Sequence, residues 1–105
     1  MEITWYGHSC FRLAERGLAT VIADPCNENF LGGQSLKLKG DIVTVSHDKP
    51  GHNHIEAVEG SPHIVNGPGE YEIGGVFITG VQTNEHAGKD EVRNVLYLFD
   101  FNGLN

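Results

Sequence analysis

Asp41-Ile-Val-Thr-Val-Ser-His-Asp-Lys-Pro-Gly-His-Asn-His54 is the stretch on which the reading of this chain turns. Its first part, through Val45, is continuous and β-branched, the pattern of a strand buried on both faces. Its second part empties into a loop carrying His47, Asp48, His52 and His54. Imidazoles and a carboxylate gathered where a strand ends are metal-ligating groups in a metal-ligating place. Two positions among them break the pattern. Lys49 carries a positive charge, and Gly51 has no side chain.

Working outward, Ile3 to Tyr6, Cys10 to Ala14 and Leu18 to Ala23 read as strands, the last two joined by a turn at Glu15-Arg-Gly17. Asp24-Pro25 ends the third, because proline has no N–H for the ladder. A long irregular stretch runs to about Gly40. After the central strand, His52 to Glu59 reads as a helix ended by Gly60, with Ile55 and Val58 three apart to seat it on a sheet. Strands follow at His63 to Val65, Glu70 to Ile73 and Val76 to Val81. Gly74-Gly75 is a two-residue hairpin signal between the last two. Thr83 to Glu91 reads as a polar loop containing His86, and Asn94 to Phe101 as a final strand. The expected architecture is α/β (α+β), a mainly β sheet of about seven or eight short strands with one short helix, in one domain over residues 1–105.

Asn102-Gly103 is a strong hairpin pair with only Leu104 and Asn105 behind it. The terminal strand therefore calls for cover on its apolar edge. A carboxyl-terminal half or a second copy in a homodimer would supply it.

Composition narrows the function. The chain has 105 residues, 39% hydrophobic and 9% aromatic, with 14 acids against 7 bases and a formal charge of −7. That balance argues against a nucleic-acid backbone as partner. No apolar run approaches the roughly 20 residues that span a bilayer, so no membrane partner is expected. Met1-Glu-Ile-Thr-Trp5 lacks the features of a signal peptide, which points to the cytoplasm. In that compartment Cys10 and Cys26 are expected as two buried thiols. Cys10, two residues from His8, is weighed as a nucleophile against that plainer role.

Four segments carry a resemblance: Trp5-Tyr-Gly-His-Ser-Cys-Phe11, Ile22-Ala-Asp-Pro25, Asp41-Ile-Val-Thr-Val-Ser-His47 and Gly67-Pro-Gly-Glu-Tyr-Glu-Ile-Gly-Gly75. In this order they resemble the amino-terminal half of the metallo-β-lactamase-fold hydrolases, in their lactonase-like branch. The resemblance implies half of an αββα sandwich. It also implies a loop of the form His-x-His-x-Asp-His that holds two metal ions. Laid on that loop, His47 matches the first histidine and His52 the last, while Lys49 and Gly51 stand in the two remaining positions. His86 falls where the family places its next ligand. The rest of the family's ligands lie beyond Asn105.

The metal ligands this implies are His47, His52 and His86, with Asp48 and His54 as local substitutes. Asp48 also reads as a turn cap, and His54 as a solvated helix residue. His8 and Asp24 are implied near the metal or the substrate, and Lys49 as a contact for an anionic group of the substrate. Zinc or another divalent transition metal is the implied cofactor. His63 reads as structural, Glu70 and Glu72 as one solvated strand face, and Gly67-Pro-Gly69 as a turn with no helix behind it. Two functions compete. One is a metal-dependent hydrolase that opens an ester, lactone or phosphodiester of a small-molecule substrate with metal-activated hydroxide, incomplete as this chain alone. The other is a non-catalytic binding or assembly module on the same fold, its metal site decayed.

Overall fold

Ile42, Val43 and Thr44 are 0%, 0% and 1% exposed, so the central strand is buried on both faces as its composition requires. The computed structural model describes residues 1–26, 37–47, 52–87 and 90–101. Its strands are β1 (Glu2–Gly7), β2 (Cys10–Ala14), β3 (Val21–Ala23), β4 (Leu38–Lys39), β5 (Ile42–Thr44), β6 (Val58–Glu59), β7 (His63–Val65), β8 (Gly69–Ile73), β9 (Val76–Ala87) and β10 (Asp90–Phe101).

Five of them form one sheet in the order β1-β2-β3-β5-β7. The first three pair antiparallel, whereas β3, β5 and β7 run parallel. Parallel neighbours must be joined by crossovers, so their carboxyl ends open on one rim of the sheet. Asp24, Ser46-His47 and Asn66 all follow those ends.

Each face of the sheet has its own core. On one side Cys10, Ile22, Cys26 and Val43 pack with Leu38 and Val58, which pair in a two-stranded parallel ladder between β4 and β6. On the other, Val21, Ile42 and Val65 meet Val76, Ile78 and Phe101 from a second sheet, ordered β10-β9-β8. Alternate residues of β5 therefore serve different cores, and a one-residue slip would exchange them. Two packed sheets, with a second core on the outer face of the first, agree with the expected half-sandwich.

Tyr97 clasps the two sheets. Its hydroxyl lies 2.9 Å from the carbonyl of Val45 and 3.1 Å from that of Val65, sharing one proton between them. Gly80 makes room for it. A Cβ there would meet the Gly67 carbonyl oxygen at 2.9 Å and the Tyr97 ring at 3.1 Å. The β8–β9 turn docks in a similar way. Gly74 has φ +54°, a Cβ on it would stand 2.6 Å from that of Ala19, and its carbonyl accepts the Ala19 N–H at 2.9 Å.

Two expectations are corrected. The helix over His52 to Glu59 is a single 3-10 turn, Ile55–Ala57, whose preceding residue His54 offers no side-chain cap. Without a cap, and with β-branched Val58 buried in the ladder with Leu38, the strand wins over a second helical turn. Gly60 does take positive φ, but it follows a strand. The expected loop from Thr83 to Glu91 is instead the outer part of a β9–β10 ribbon, in unbroken register from Val76↔Phe101 to Ala87↔Asp90. Backbone pairing extends such a ribbon beyond any apolar face, so polar composition misleads there. The irregular stretch before Gly40 falls largely outside the described residues.

At one edge of the second sheet, among the described residues, β10 turns Leu96 and Leu98 outward, 54% and 59% exposed. Among the described residues no helix is long and apolar enough to cross a membrane.

Chemical denaturation will separate core from surface. Ile42→Ala is expected to cost about 2–5 kcal/mol, whereas Leu98→Ala stays within roughly 0.5 kcal/mol. Tyr97→Phe, which removes the clasp without opening a cavity, is expected to cost about 1 kcal/mol.

Candidate metal centre

Asp24 organises the rim. It follows β3 with φ +46°, a left-handed conformation that aspartate tolerates better than most residues, and its N–H bonds the Thr44 carbonyl at 2.8 Å. Its carboxylate reaches across to the end of β5. Oδ1 accepts the Ser46 N–H at 2.7 Å, and Oδ2 accepts the Ser46 hydroxyl at 2.6 Å. Oδ2 also lies 3.0 Å from Nδ1 of His52. Only 15% of the Asp24 side chain and 20% of that of His52 remain exposed.

Five further contacts join the cluster. Ser9, in the turn between β1 and β2, places Oγ 3.0 Å from the same His52 Nδ1. Nδ1 of His47 sits 2.9 Å from Ser46 Oγ and 2.9 Å from Oδ1 of Asn94, on β10. The Ser46 carbonyl accepts the Val95 N–H at 2.7 Å, which pins β10 to this rim. The two imidazoles stack with centroids 4.0 Å apart and planes tilted by 40°.

Proton accounting assigns the tautomers. A carboxylate only accepts, so Ser46 Oγ and His52 Nδ1 each donate to Asp24. Ser46 has then spent its proton and accepts from His47 Nδ1. The Asn94 oxygen accepts as well, its amide nitrogen being turned to Thr83 Oγ1 at 3.3 Å. Both rings thus carry hydrogen on Nδ1, and in the neutral form of each ring the lone pair sits on Nε2. Among the described residues, no hydrogen bond engages either Nε2. Neutral imidazoles with Nδ1–H tied to a carboxylate or carbonyl are in the state that binds a metal ion through Nε2.

The remaining candidates separate. His8 is exposed, in the left-handed region at φ +49°, with its ring 5.3 Å from that of His52 and its carbonyl accepting the Trp5 indole N–H at 2.9 Å. His54 makes its contacts elsewhere, with Nδ1 3.3 Å from Glu56 and its N–H on the Pro25 carbonyl. His86 is placed by its backbone in β9 opposite Glu91, three residues (about 10 Å of strand) beyond Thr83. Asp48, Lys49 and Gly51 lie outside the described residues. Among the described residues, no three His, Cys, Asp or Glu side chains form a group that could hold a metal ion. Of the sequence-predicted ligands, the structure brings His47 and His52 together.

Cys10 faces no substrate. It is fully buried, and burial pushes its thiol up to about 12, so it stays protonated at neutral pH. The His8–Ser9 turn intervenes, so the two residues do not share a strand face as their spacing suggested. Ser9, Ser46 and Asn94 are the site residues that sequence reasoning missed. Ser46 and Ser9 adjoin legible residues, His47 and His8. Nothing local marks Asn94, whose partner stands 47 positions away.

A cleft of about 230 Å³ opens beside His47, lined by Val45, Asn53, Ile55, Ile64 and Asn66. The larger depression, about 830 Å³, lies at the far ends of the parallel strands around Asp41 and His63, away from the two rings.

The family model described as "Beta-lactamase superfamily domain" matches residues 2–105. This chain belongs to the metallo-β-lactamase superfamily. It is similar to a UPF0173 metal-dependent hydrolase of Methanoculleus marisnigri, 42% identical over 52 residues that cover 50% of this chain and 20% of the relative. A UPF0173 metal-dependent hydrolase of Mesorhizobium japonicum is 32% identical over 72 residues, 66% of this chain and 28% of that one. The crystal structure of a proposed Zn-dependent hydrolase of the same superfamily from Thermotoga maritima superposes with a TM-score of 0.71 at 34% identity. That match covers 96% of this chain and 44% of the other, so the chain spans less than half the length of the solved relative. Both UPF0173 relatives are named as metal-dependent hydrolases.

Removing the hub tests the network. Asp24→Ala leaves the Ser46 N–H, its hydroxyl and His52 Nδ1 without their acceptor, and is expected to cost about 1–3 kcal/mol in a denaturation experiment. Asp24→Asn, which keeps one oxygen and the left-handed backbone, should cost less.

Proposed function

We propose that this superfamily member binds a divalent transition metal, with zinc the best fit, through Nε2 of His47 and His52. The reaction it would serve is hydrolysis of an ester, lactone or phosphodiester in a small substrate. One observation carries the reading: two stacked imidazoles are locked by Asp24, Ser46 and Asn94 into the tautomer that leaves Nε2 free. A bound divalent metal supplies Lewis-acid polarisation of the scissile bond and acidifies an attacking water. The chain's own residues do the rest. Asp24 holds the His52 ring in place, Ser46 and Asn94 hold that of His47, and the adjoining cleft admits the substrate. His86 and Asp48 are the candidate additional donors. Lys49 would face an anionic group of the substrate.

A second reading is favoured by Lys49 and Gly51 in ligand positions and by the outward Leu96 and Leu98. It is a binding or assembly module that keeps the imidazole pair as a structural remnant, with a second copy over the exposed β10 face. Sedimentation as a stable monomer at micromolar concentration would remove the homodimer from this reading.

Metal analysis of the untagged chain separates the two. The hydrolase reading expects about one zinc per chain, lost in both His47→Ala and His52→Ala, and affinity weakened roughly 10- to 100-fold in Asn94→Leu. It also expects zinc-dependent hydrolysis of 4-nitrophenyl esters or bis(4-nitrophenyl) phosphate that disappears with the same histidines. Substoichiometric metal that the substitutions leave unchanged would leave only the module.

A further inference from the structure

Two buried thiols meet behind the candidate site. Cys10 follows Ser9 at the start of β2, and Cys26 comes two residues after Asp24 as the chain leaves β3. Both are free, 0% and 2% exposed, and they share a core with Ile22 and Val43. The two thiols act on each other across that core, Cys26 adding to the hold of Cys10 on its proton. Burial raises both thiols, which keeps the pair protonated at rest.

The flanking residues give this pair its interest. Ser9 and Asp24 are the two groups on Nδ1 of His52. One adjoins Cys10 and the other is separated from Cys26 only by Pro25. A disulfide needs its sulfurs about 2.05 Å apart, well inside the contact distance of two separate thiols. In this densely packed core, closure would pull on β2 and on the start of the chain after β3.

We propose that Cys10 and Cys26 are a dithiol–disulfide pair whose closure displaces the Ser9 and Asp24 contacts to His52. The oxidant is a low-molecular-weight disulfide. Cys26, as thiolate, attacks one sulfur of it, the small S–S bond breaks, and the first small thiolate leaves to take up the proton Cys26 lost. Cys10 then gives up its proton and attacks Sγ of Cys26, which releases the second small thiol. Two protein thiols lose two electrons in all, and one small disulfide becomes two thiols. Formation of the disulfide stands apart from the metal-binding reading. Its effect on the metal centre rests on that reading.

The full chain, equilibrated across a series of 2-hydroxyethyl disulfide to 2-mercaptoethanol ratios and then alkylated in denaturant, tests the pair by intact mass. The expected product is monomeric on a non-reducing gel, about 2 Da lighter than the dithiol, closed to iodoacetamide and reversed by dithiothreitol. Cys26→Ser should not form it. Alkylation of both cysteines at every ratio, or a mixed disulfide that never closes, would overturn the proposal. Long-range proton–nitrogen spectra of the metal-free chain read the second half, with the His52 ring signals expected to move between dithiol and disulfide. Closure with those signals unmoved would overturn the coupling to His52. A failure to bind zinc would sink the metal-binding reading and leave the disulfide result as it stands.

Discussion

The Asp24 carboxylate is the constraint on which the rim of this molecule depends. Three parallel strands deliver their carboxyl ends to one place, but sheet pairing alone leaves those ends to diverge into separate loops. Asp24 ties the end of β3 to that of β5 through both the N–H and the hydroxyl of Ser46, and draws in His52 from beyond the next loop. An acceptor-only group surrounded by donors also dictates where every proton sits. The charge of one carboxylate thereby sets the tautomers of two imidazoles, one directly and one through a serine.

This arrangement has an energetic logic. A half-buried carboxylate without partners would be costly, and so would the unmet donors if it were removed. Satisfied, the group converts that cost into positional order. The left-handed backbone at Asp24 and at His8 fits the same picture, since conformations of this kind persist where the surroundings over-determine them.

Much of this could be read from the sequence. Cys10 to Ala14 and His63 to Val65 are strands with the expected ends, and Gly74-Gly75 makes the expected hairpin turn, because β-branched runs and paired glycines act locally. The double burial of Ile42 to Val45 was legible for the same reason. His52 to Glu59 was not. A spacing of three between Ile55 and Val58 suits a helix, but the pairing of Val58 with Leu38, 20 positions away, decides otherwise. The ribbon was hidden because its outer half is held by backbone pairing and carries no alternating apolar signal. In the site, His47, His52 and Asp24 announced themselves by residue type and place. Asn94 required the packing of β10 against Ser46, which no local pattern encodes. His86 was legible as a candidate, yet its place on the ribbon depends on a register that spacing alone does not supply.

The carboxyl-end rim separates the scaffold from its working parts. The hydrogen bonds described for His47 and His52 come from positions 9, 24, 46 and 94, on segments outside the loop that joins the two rings. Between the two rings in sequence stand Lys49 and Gly51, at the positions where the resemblance implies a histidine and an aspartate. On the proposed metal-binding reading, ligands can change within that short segment while the mounting stays as it is. Ligand identity is in this sense an interchangeable fitting, and the fold keeps its shape whichever fitting a descendant carries.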